Sequence, residues 1–226
     1  MMKYGLLFVT WLVVLSASGQ GVAVNHEFDE RWQQQLQQLT KRLGWSTPTP
    51  KVGDYEVRIW YKHGLVKGAA HGIYIIRKIN RNVFLNKYRI QYTEQGSPVV
   101  SRYRPKHKLP LAVWDKLLER HLLTLPTLSD ILTRYYAGLP RDSTWTEIAP
   151  DGTITVKARK SRKRLLFGDG SVEYGFSIFS HEGSRFYVYS APDLYCRELP
   201  TIPELRNAVD ILNELSSPCQ HDTYKP

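Results

Sequence analysis

Two short segments of the chain concentrate positively charged side chains that could bind phosphate, sulfate or carboxylate groups. One has six cations within eight residues, namely Lys157, Arg159, Lys160, Arg162, Lys163 and Arg164. The other has four within seven residues, namely Arg102, Arg104, Lys106 and Lys108. Arginine presents a planar fork to an anion and lysine a point charge, so all of these residues are candidate anion-binding residues. Such runs also occur on solvated strand edges, where they prevent pairing with other chains.

The excess positive charge lies in the middle of the chain. The 226 residues include 31 Lys and Arg against 21 Asp and Glu, a net charge of +10. Residues 51–125 hold 15 basic and 5 acidic residues, a net charge of +10, whereas residues 126–226 hold 12 basic and 13 acidic residues. This distribution favours an anionic surface or polymer as the partner of residues 51–125. With 42% hydrophobic residues, the chain is expected to be globular rather than disordered.

The other reactive side chains form no recognised catalytic or metal-binding motif. The sequence contains no nucleotide-binding, zinc-protease, EF-hand or serine-hydrolase pattern, and its histidines lack metal-site spacing. His63 and His71 flank a stretch of small residues and could bind a metal or move protons, although polar loop histidines are commoner. Asp151, Asp169 and Glu173 could supply a glycosidase carboxylate pair, but both aspartates precede glycine in predicted turns. We therefore predict no catalytic, metal-binding or cofactor-binding residue and no cofactor.

The N-terminus has the pattern of a secretory signal peptide. An early lysine precedes an apolar run at residues 6–15, and small residues follow. We predict that residues 1–19 are removed by cleavage after Gly19, with Ala23 as the second choice; a buried N-terminal helix is the alternative. Ten helical residues span only about 15 Å, so a transmembrane span is not expected. The mature protein is expected to be soluble and either secreted or periplasmic, which makes nucleic acid an unexpected partner.

Export gives the two cysteines a predicted role. Cys196 and Cys219 are the only cysteines of the sequence, and an oxidising compartment would favour their pairing. In the chain-entropy model, closing a loop of this length stabilises the fold by roughly 3 kcal/mol. A catalytic or metal-ligating cysteine is the alternative, with His221 close in sequence to Cys219.

The periodicity of apolar residues changes several times along the chain. An apolar stripe at steps of three and four residues predicts an amphipathic helix over residues 25–43, which we expect to pack on a sheet rather than on a partner. Residues 46–50 form a proline linker, and alternation then predicts a half-buried strand over 54–62. Trp60 lies on the polar side of that strand and would be exposed in a single-layered sheet. We expect a second layer or a helix to cover it. Further strands are predicted over 72–79, 83–92 and 99–103, helices over 110–123 and 127–138, strands over 144–149, 153–158, 165–168, 171–179 and 185–190, and a helix over 201–215.

This order predicts an α+β fold, with antiparallel strand meanders in one or two sheets packed against an N-terminal helix, a central helix pair and a C-terminal helix. Residues 20–50 are interpreted as the N-terminal helix and linker, and residues 51–226 as one globular domain, which could divide into two subdomains near residue 140.

The sequence leaves three functional hypotheses. The leading one is an exported, non-enzymatic binding protein whose basic surface contacts an anionic partner. The second is a secreted hydrolase whose site is assembled from dispersed residues, with His63, His71 or His181 next to a serine or carboxylate. The third is an envelope assembly or adaptor protein that uses the glutamine-rich first helix as its contact.

Overall fold

The computed structural model describes residues 26–63, 71–102, 107–140, 143–159 and 172–216. It has the predicted α+β architecture. The helices are α1 (His26–Arg42), α2 (Leu111–Glu119), α3 (Leu128–Ala137), α4 (Pro192–Glu198) and α5 (Pro203–Ser216). The strands are β1 (Tyr55–His63), β2 (His71–Ile79), β3 (Asn82–Tyr92), β4 (Pro98–Arg102), β5 (His107–Leu109), β6 (Ser143–Ile148), β7 (Ile154–Arg159), β8 (Val172–Ser180) and β9 (Gly183–Ser190).

Seven strands from both halves of the chain form one antiparallel sheet. The two strand groups, which the sequence could place in one sheet or in two, therefore share a sheet, apart from the hairpin described below. The order of the sheet is β4–β3–β2–β1–β8–β9, and β5 pairs with β3 next to β4. The two halves meet where β1 pairs with β8, with Ile59 opposite Phe176. Strands β6 and β7 form a separate two-stranded hairpin.

One face of the sheet packs against α2, α3, α4 and α5. Its apolar residues alternate along each strand with residues of the other face, as the pleat requires. Val57, Ile76, Phe176 and Tyr187 are fully buried in this layer, as is Leu205 of α5. At the start of α3, the predicted capping box is present, because the Thr127 hydroxyl accepts from the Asp130 amide and the Asp130 carboxylate accepts from the Thr127 amide.

The other face of the sheet, called the α1 face below, is covered by α1. Trp32 and Leu39 of the helix are buried there against Trp60, Ile73 and other residues of the sheet. The helix therefore packs on its own sheet, and the expectation that a second layer buries Trp60 is confirmed. The prediction of a half-buried β1 is wrong, because the central strand is covered on both faces and Glu56 and Arg58 are buried too.

Local structure differs from the sequence predictions at three places. Helix α2 ends at Glu119 rather than near residue 123, because His121 takes a positive φ of 61° that turns the chain. Helix α4 and strand β5 are too short to give a periodic signal, and neither is predicted. The predicted strand at residues 165–168 lies outside the described residues. None of the helices in the described ranges is long and apolar enough to cross a membrane.

Candidate binding cleft beneath helix α1

Two contacts of Trp32 help to hold helix α1 on the sheet. The indole N–H of Trp32 donates to the Glu173 carboxylate of β8 at 2.7 Å. The ring lies directly over Gly175, where an added Cβ would come within 2.6 Å of Trp32 Cζ3. The glycine therefore lets the indole descend to the sheet, and the carboxylate fixes the orientation of the ring.

A cleft of about 520 Å³ lies between α1, the chain that follows it and the ends of β8 and β9. Most of its lining residues are of three types, and Leu36 and Gly44 complete the lining. Rings come from Trp45, Trp60, Phe179 and Phe186, and amides and hydroxyls from Gln33, Gln37, Thr40, Ser46, Thr47, Ser177 and Ser184. The cations are Lys41, Arg58 and Arg185. Apolar walls with a few convergent polar groups are typical of ligand sites.

Arg58 forms the polar floor of the cleft. Its Nε donates to Glu56 Oε1 at 2.7 Å and its Nη2 donates to the carbonyl oxygen of Ser46 at 3.0 Å. Its guanidinium carbon lies 5.7 Å from the ring centroid of Trp45 and 5.3 Å from that of Phe179, within cation–π range. The side chain is only 5% exposed, so these contacts hold the guanidinium in one position.

The charge balance of the cleft is positive. Glu56 also accepts from Arg77 Nε at 2.5 Å, so one carboxylate faces two guanidinium groups and the triad carries a net charge of +1. Among the described residues, no acidic side chain lines the cleft, and Lys41 is exposed at its rim. Arg185 is engaged elsewhere, because its Nη1 and Nη2 donate to the carbonyl oxygens of Leu123 and Leu125.

The predicted cation run at residues 102–108 lies partly on the same face. Arg102 is opposite Tyr88 and Lys108 is opposite Phe84, which places both on the α1 face at the edge formed by β4 and β5. Arg102 stacks over the Tyr88 ring at 5.6 Å and donates to its hydroxyl at 3.3 Å. The other two members of the run, Arg104 and Lys106, lie outside the described residues.

The cation run at residues 157–164 begins within the last residues of β7. Lys157 is paired with Trp145 across the β6–β7 hairpin and forms an ion pair with Glu147 at 2.5 Å. Arg159 is the last residue of β7, opposite Ser143. The remaining members of the run, Lys160, Arg162, Lys163 and Arg164, lie outside the described residues.

The candidate catalytic residues of the hydrolase hypothesis are spread over the sheet. His63 is opposite Val172 at the start of β8, while His181 follows the end of that strand, so the two histidines are about 30 Å apart. His71 begins β2 at the same end of the sheet as His63. Within the described parts of the chain, no group of three His, Cys, Asp or Glu residues could hold a metal ion.

The candidate carboxylates have structural contacts. The Asp151 carboxylate accepts from the Thr153 amide at 2.9 Å in the β6–β7 turn, and this hydrogen bond lowers its pKa. Glu173 is half-buried, and its carboxylate accepts the hydrogen bond from the Trp32 indole. Asp169 lies outside the described residues.

Cys196 is half-buried in α4, on the side of that helix that packs toward the core. Its predicted partner, Cys219, lies outside the described residues. The disulfide bond therefore stays a prediction.

Sequence reasoning identified neither Arg58 nor Trp45 as a site residue. The only signal was Trp60, a large aromatic residue on the polar side of β1. Comparisons with protein-family models, curated proteins and solved structures found no match for this chain. The α+β fold and the geometry of the cleft therefore carry the functional argument.

Proposed function

We propose that this chain is an exported, non-catalytic binding protein that takes an anionic saccharide in the cleft beneath α1. The observation that carries this proposal is the buried Arg58 at the floor of a cleft whose described lining residues include no acidic side chain. Its guanidinium is already ordered by Glu56 and by two aromatic rings, so a bound anion would order little more of the protein.

The other lining residues suit a sugar better than a compact inorganic anion. Ring faces such as that of Trp45 can contact the C–H faces of a pyranose, while the amides and hydroxyls of Gln33, Gln37 and Ser177 can bond to its hydroxyl groups. Sulfate or carboxylate substituents would then meet Arg58 or Lys41.

The position of the edge cations supports a ligand longer than the cleft. Arg102 and Lys108 lie on the α1 face, four strand positions from β8 in the sheet order, which corresponds to about 19 Å. An anionic chain that leaves the cleft along this face would meet them. The signal-like pattern of residues 1–19 supports a location where such polymers occur.

The test is a tryptophan fluorescence titration with a heparin hexasaccharide, with a neutral dextran of equal length as the reference probe. Binding of the heparin probe alone, weakening as salt is raised, supports the proposal. The matched variants are Lys41→Gln at the cleft rim and Lys51→Gln, an exposed lysine outside the cleft. We expect Lys41→Gln to weaken binding by about threefold to tenfold and Lys51→Gln to leave it unchanged. Equal effects of both variants, or equal binding of dextran, would contradict the proposal.

A further inference from the structure

A second groove runs along the side of α1 that faces away from the cleft. It has a volume of about 270 Å³ and is called the Arg42 groove below. Its lining residues are Trp32, Gln35, Leu36, Gln38, Leu39 and Arg42 of α1, Lys62 of β1 and Tyr92 of β3. Most of its residues from α1 lie about half a turn around the helix from those that line the cleft. Among the described residues, only Leu36 lines both, so the groove has its own set of polar groups.

Two cations from different elements line the Arg42 groove. Arg42 is in the last turn of α1, and Lys62 is near the end of β1, on the face of the sheet that α1 covers. The described lining residues include no acidic side chain, so the two cations give the lining a charge of +2. The amides of Gln35 and Gln38 add further N–H donors. This combination of donors and positive charge is suited to an oxyanion.

Lys62 is half-buried, and the carboxylate next to it is already engaged. Lys62 is directly opposite Glu173 across β1 and β8, which places both side chains on the same face of the sheet. The Glu173 carboxylate accepts from the Trp32 indole, and Lys62 forms no ion pair with any described residue. A partly desolvated cation without an ion-pair partner favours an anionic ligand.

Arg42 lies near Tyr92 on the opposite wall of the groove. Burial raises the pKa of the Tyr92 phenol, and the Arg42 guanidinium lowers it by a smaller amount. The phenol is therefore neutral at physiological pH and is not a counter-ion for Arg42. Within the described parts of the chain, the Arg42 side chain has no carboxylate partner either. Its planar fork is thus available to an anion in the groove.

We propose that the Arg42 groove is a second anion site, which takes a dianionic phosphate group between Arg42 and Lys62. The two charges of the phosphate match the two cations, and its oxygens accept from the guanidinium, the ammonium and the glutamine amides. A carboxylate would balance only one of the cations. Free phosphate and a phosphate monoester share this chemistry. The site does not rest on the saccharide proposal, because no charged residue lines both the groove and the cleft.

A phosphate in this position would connect the end of α1 to the sheet. Trp32 fastens the helix to β8, whereas Arg42 lies ten residues further along the helix, a distance of about 15 Å. A phosphate held by Arg42 and Lys62 would fasten the last turn of α1 to β1. Because such a ligand binds the folded chain alone, phosphate should also raise the melting temperature more than chloride does at equal ionic strength.

The experiment follows the indole N–H signal of Trp32 in the ¹⁵N-labelled full chain during titration with sodium phosphate at about pH 8, where phosphate is mainly a dianion. Ionic strength is held constant. The Trp32 ring lines the groove, so we expect a saturable shift with phosphate and none with acetate, which is a monoanion. Glucose 6-phosphate is the second probe. Tighter binding of glucose 6-phosphate than of phosphate assigns the groove to a monoester, and equal or weaker binding assigns it to the free ion.

Matched variants test the two cations. Arg42→Gln and Lys62→Gln should each weaken phosphate binding by about fivefold to tenfold, whereas Arg42→Lys keeps the charge and should lose less than about threefold. Lys51→Gln is the control, because Lys51 is exposed and lines neither site, and the variant removes the same charge. An unchanged Trp32 signal in the ligand-free variants shows that α1 is still docked.

Three results would overturn the proposal. They are the absence of a Trp32 shift with both phosphate probes, an equal shift with acetate, and equal losses of binding in Arg42→Gln and Lys51→Gln. The Trp45 and Trp60 signals report on the cleft instead. The two proposals can therefore fail independently, and the same spectra show which of them has failed.

Discussion

The indole N–H of Trp32 in α1 donates a 2.7 Å hydrogen bond to the carboxylate of Glu173 in β8, across 141 residues of sequence. The bond joins the N-terminal helix to the second half of the sheet. Because α1 forms one wall of the cleft and β8 part of its floor, this contact fixes the spacing between them. The cleft therefore forms only when α1 is docked on the sheet.

Trp32→Phe should loosen α1. The change leaves the partly buried Glu173 carboxylate without its donor, which we expect to lower the free energy of unfolding by about 2 kcal/mol. The measurements are urea unfolding and the rate of trypsin cleavage after Lys41 and Arg42. Trp145→Phe is the matched control, because the Trp145 indole bonds to Glu147 at 3.1 Å in an exposed position. Equal stability losses in the two variants would contradict the role of Trp32.

Gly175→Ala should displace the same helix from the opposite side of the contact. The new Cβ would lie 2.6 Å from Trp32 Cζ3 and 3.2 Å from Leu36 Cδ1, so the ring must move away. We expect a cost of about 1–3 kcal/mol in unfolding experiments. Trp32→Leu in the same chain should recover part of that loss, because the smaller side chain leaves room for the methyl group. Independent, additive effects of the two changes would show that the ring is not the obstacle.

Glu56→Gln should be strongly destabilising, because it leaves the buried Arg58 without a carboxylate. We expect a loss of about 3 kcal/mol, measured by chemical unfolding, as for other buried pairs from which one partner is removed. Arg77→Gln removes the outer guanidinium, whose side chain is 43% exposed, and should cost less than about 1 kcal/mol. If Arg77→Gln lowered the free energy of unfolding more than Glu56→Gln does, the burial of the Glu56–Arg58 pair would be contradicted.

Three tyrosines should make the fold sensitive to alkaline pH. Burial raises the pKa of Tyr174 to about 12 and the pKa values of Tyr187 and Tyr189 further above the ordinary 10.0. In the unfolded chain the phenols ionise from about pH 10, while in the folded protein they stay neutral. The contribution of these tyrosines to the free energy of unfolding is therefore complete below pH 10 and is lost as the pH rises toward their pKa values in the folded protein. Each can contribute a slope of up to about 1.4 kcal/mol per pH unit above pH 10, measured by unfolding at several pH values.

Tyr187→Phe tests this dependence. At neutral pH the variant loses the 2.7 Å hydrogen bond from the Tyr187 hydroxyl to the carbonyl oxygen of Leu122, and we expect it to be less stable by about 1 kcal/mol. Above pH 10 the wild-type chain loses stability faster, so the difference should shrink. A difference that stays constant up to pH 11 would contradict the burial of this phenol as the cause.

Much of the fold follows from local sequence patterns. Helix α1, strand β1 and the Thr127–Asp130 capping box are each indicated by side chains close in sequence, and each is present in the structure. The pairing of the two halves of the chain was not predictable, because β1 and β8 are segments more than a hundred residues apart. Strand β5, with three residues, is shorter than any periodic signal.

The candidate site was not predicted for the same reason, because its residues come from segments that are far apart in the sequence. Glu56 and Arg58 alternate with apolar residues, which is the usual pattern of a solvent-facing side, yet both are buried. Arg58 is covered by contacts with Ser46 and Trp45 of the chain after α1 and with Phe179 of β8. The predicted cation runs were chosen for charge density. The cleft instead places one ordered guanidinium, that of Arg58, among aromatic rings. The rings belong to Trp45 in the linker after α1, to Trp60 in β1 and to Phe179 in β8.

The most direct test of the saccharide proposal follows the indole N–H signals in a ¹⁵N-labelled chain during titration with the heparin hexasaccharide. Trp45 and Trp60 line the cleft, whereas Trp114 is buried on the other face of the sheet and Trp145 lies in the hairpin. The account predicts saturable shifts of the Trp45 and Trp60 signals, with those of Trp114 and Trp145 unmoved. Shifts confined to Trp145, or no shifts at saturating hexasaccharide, would contradict it.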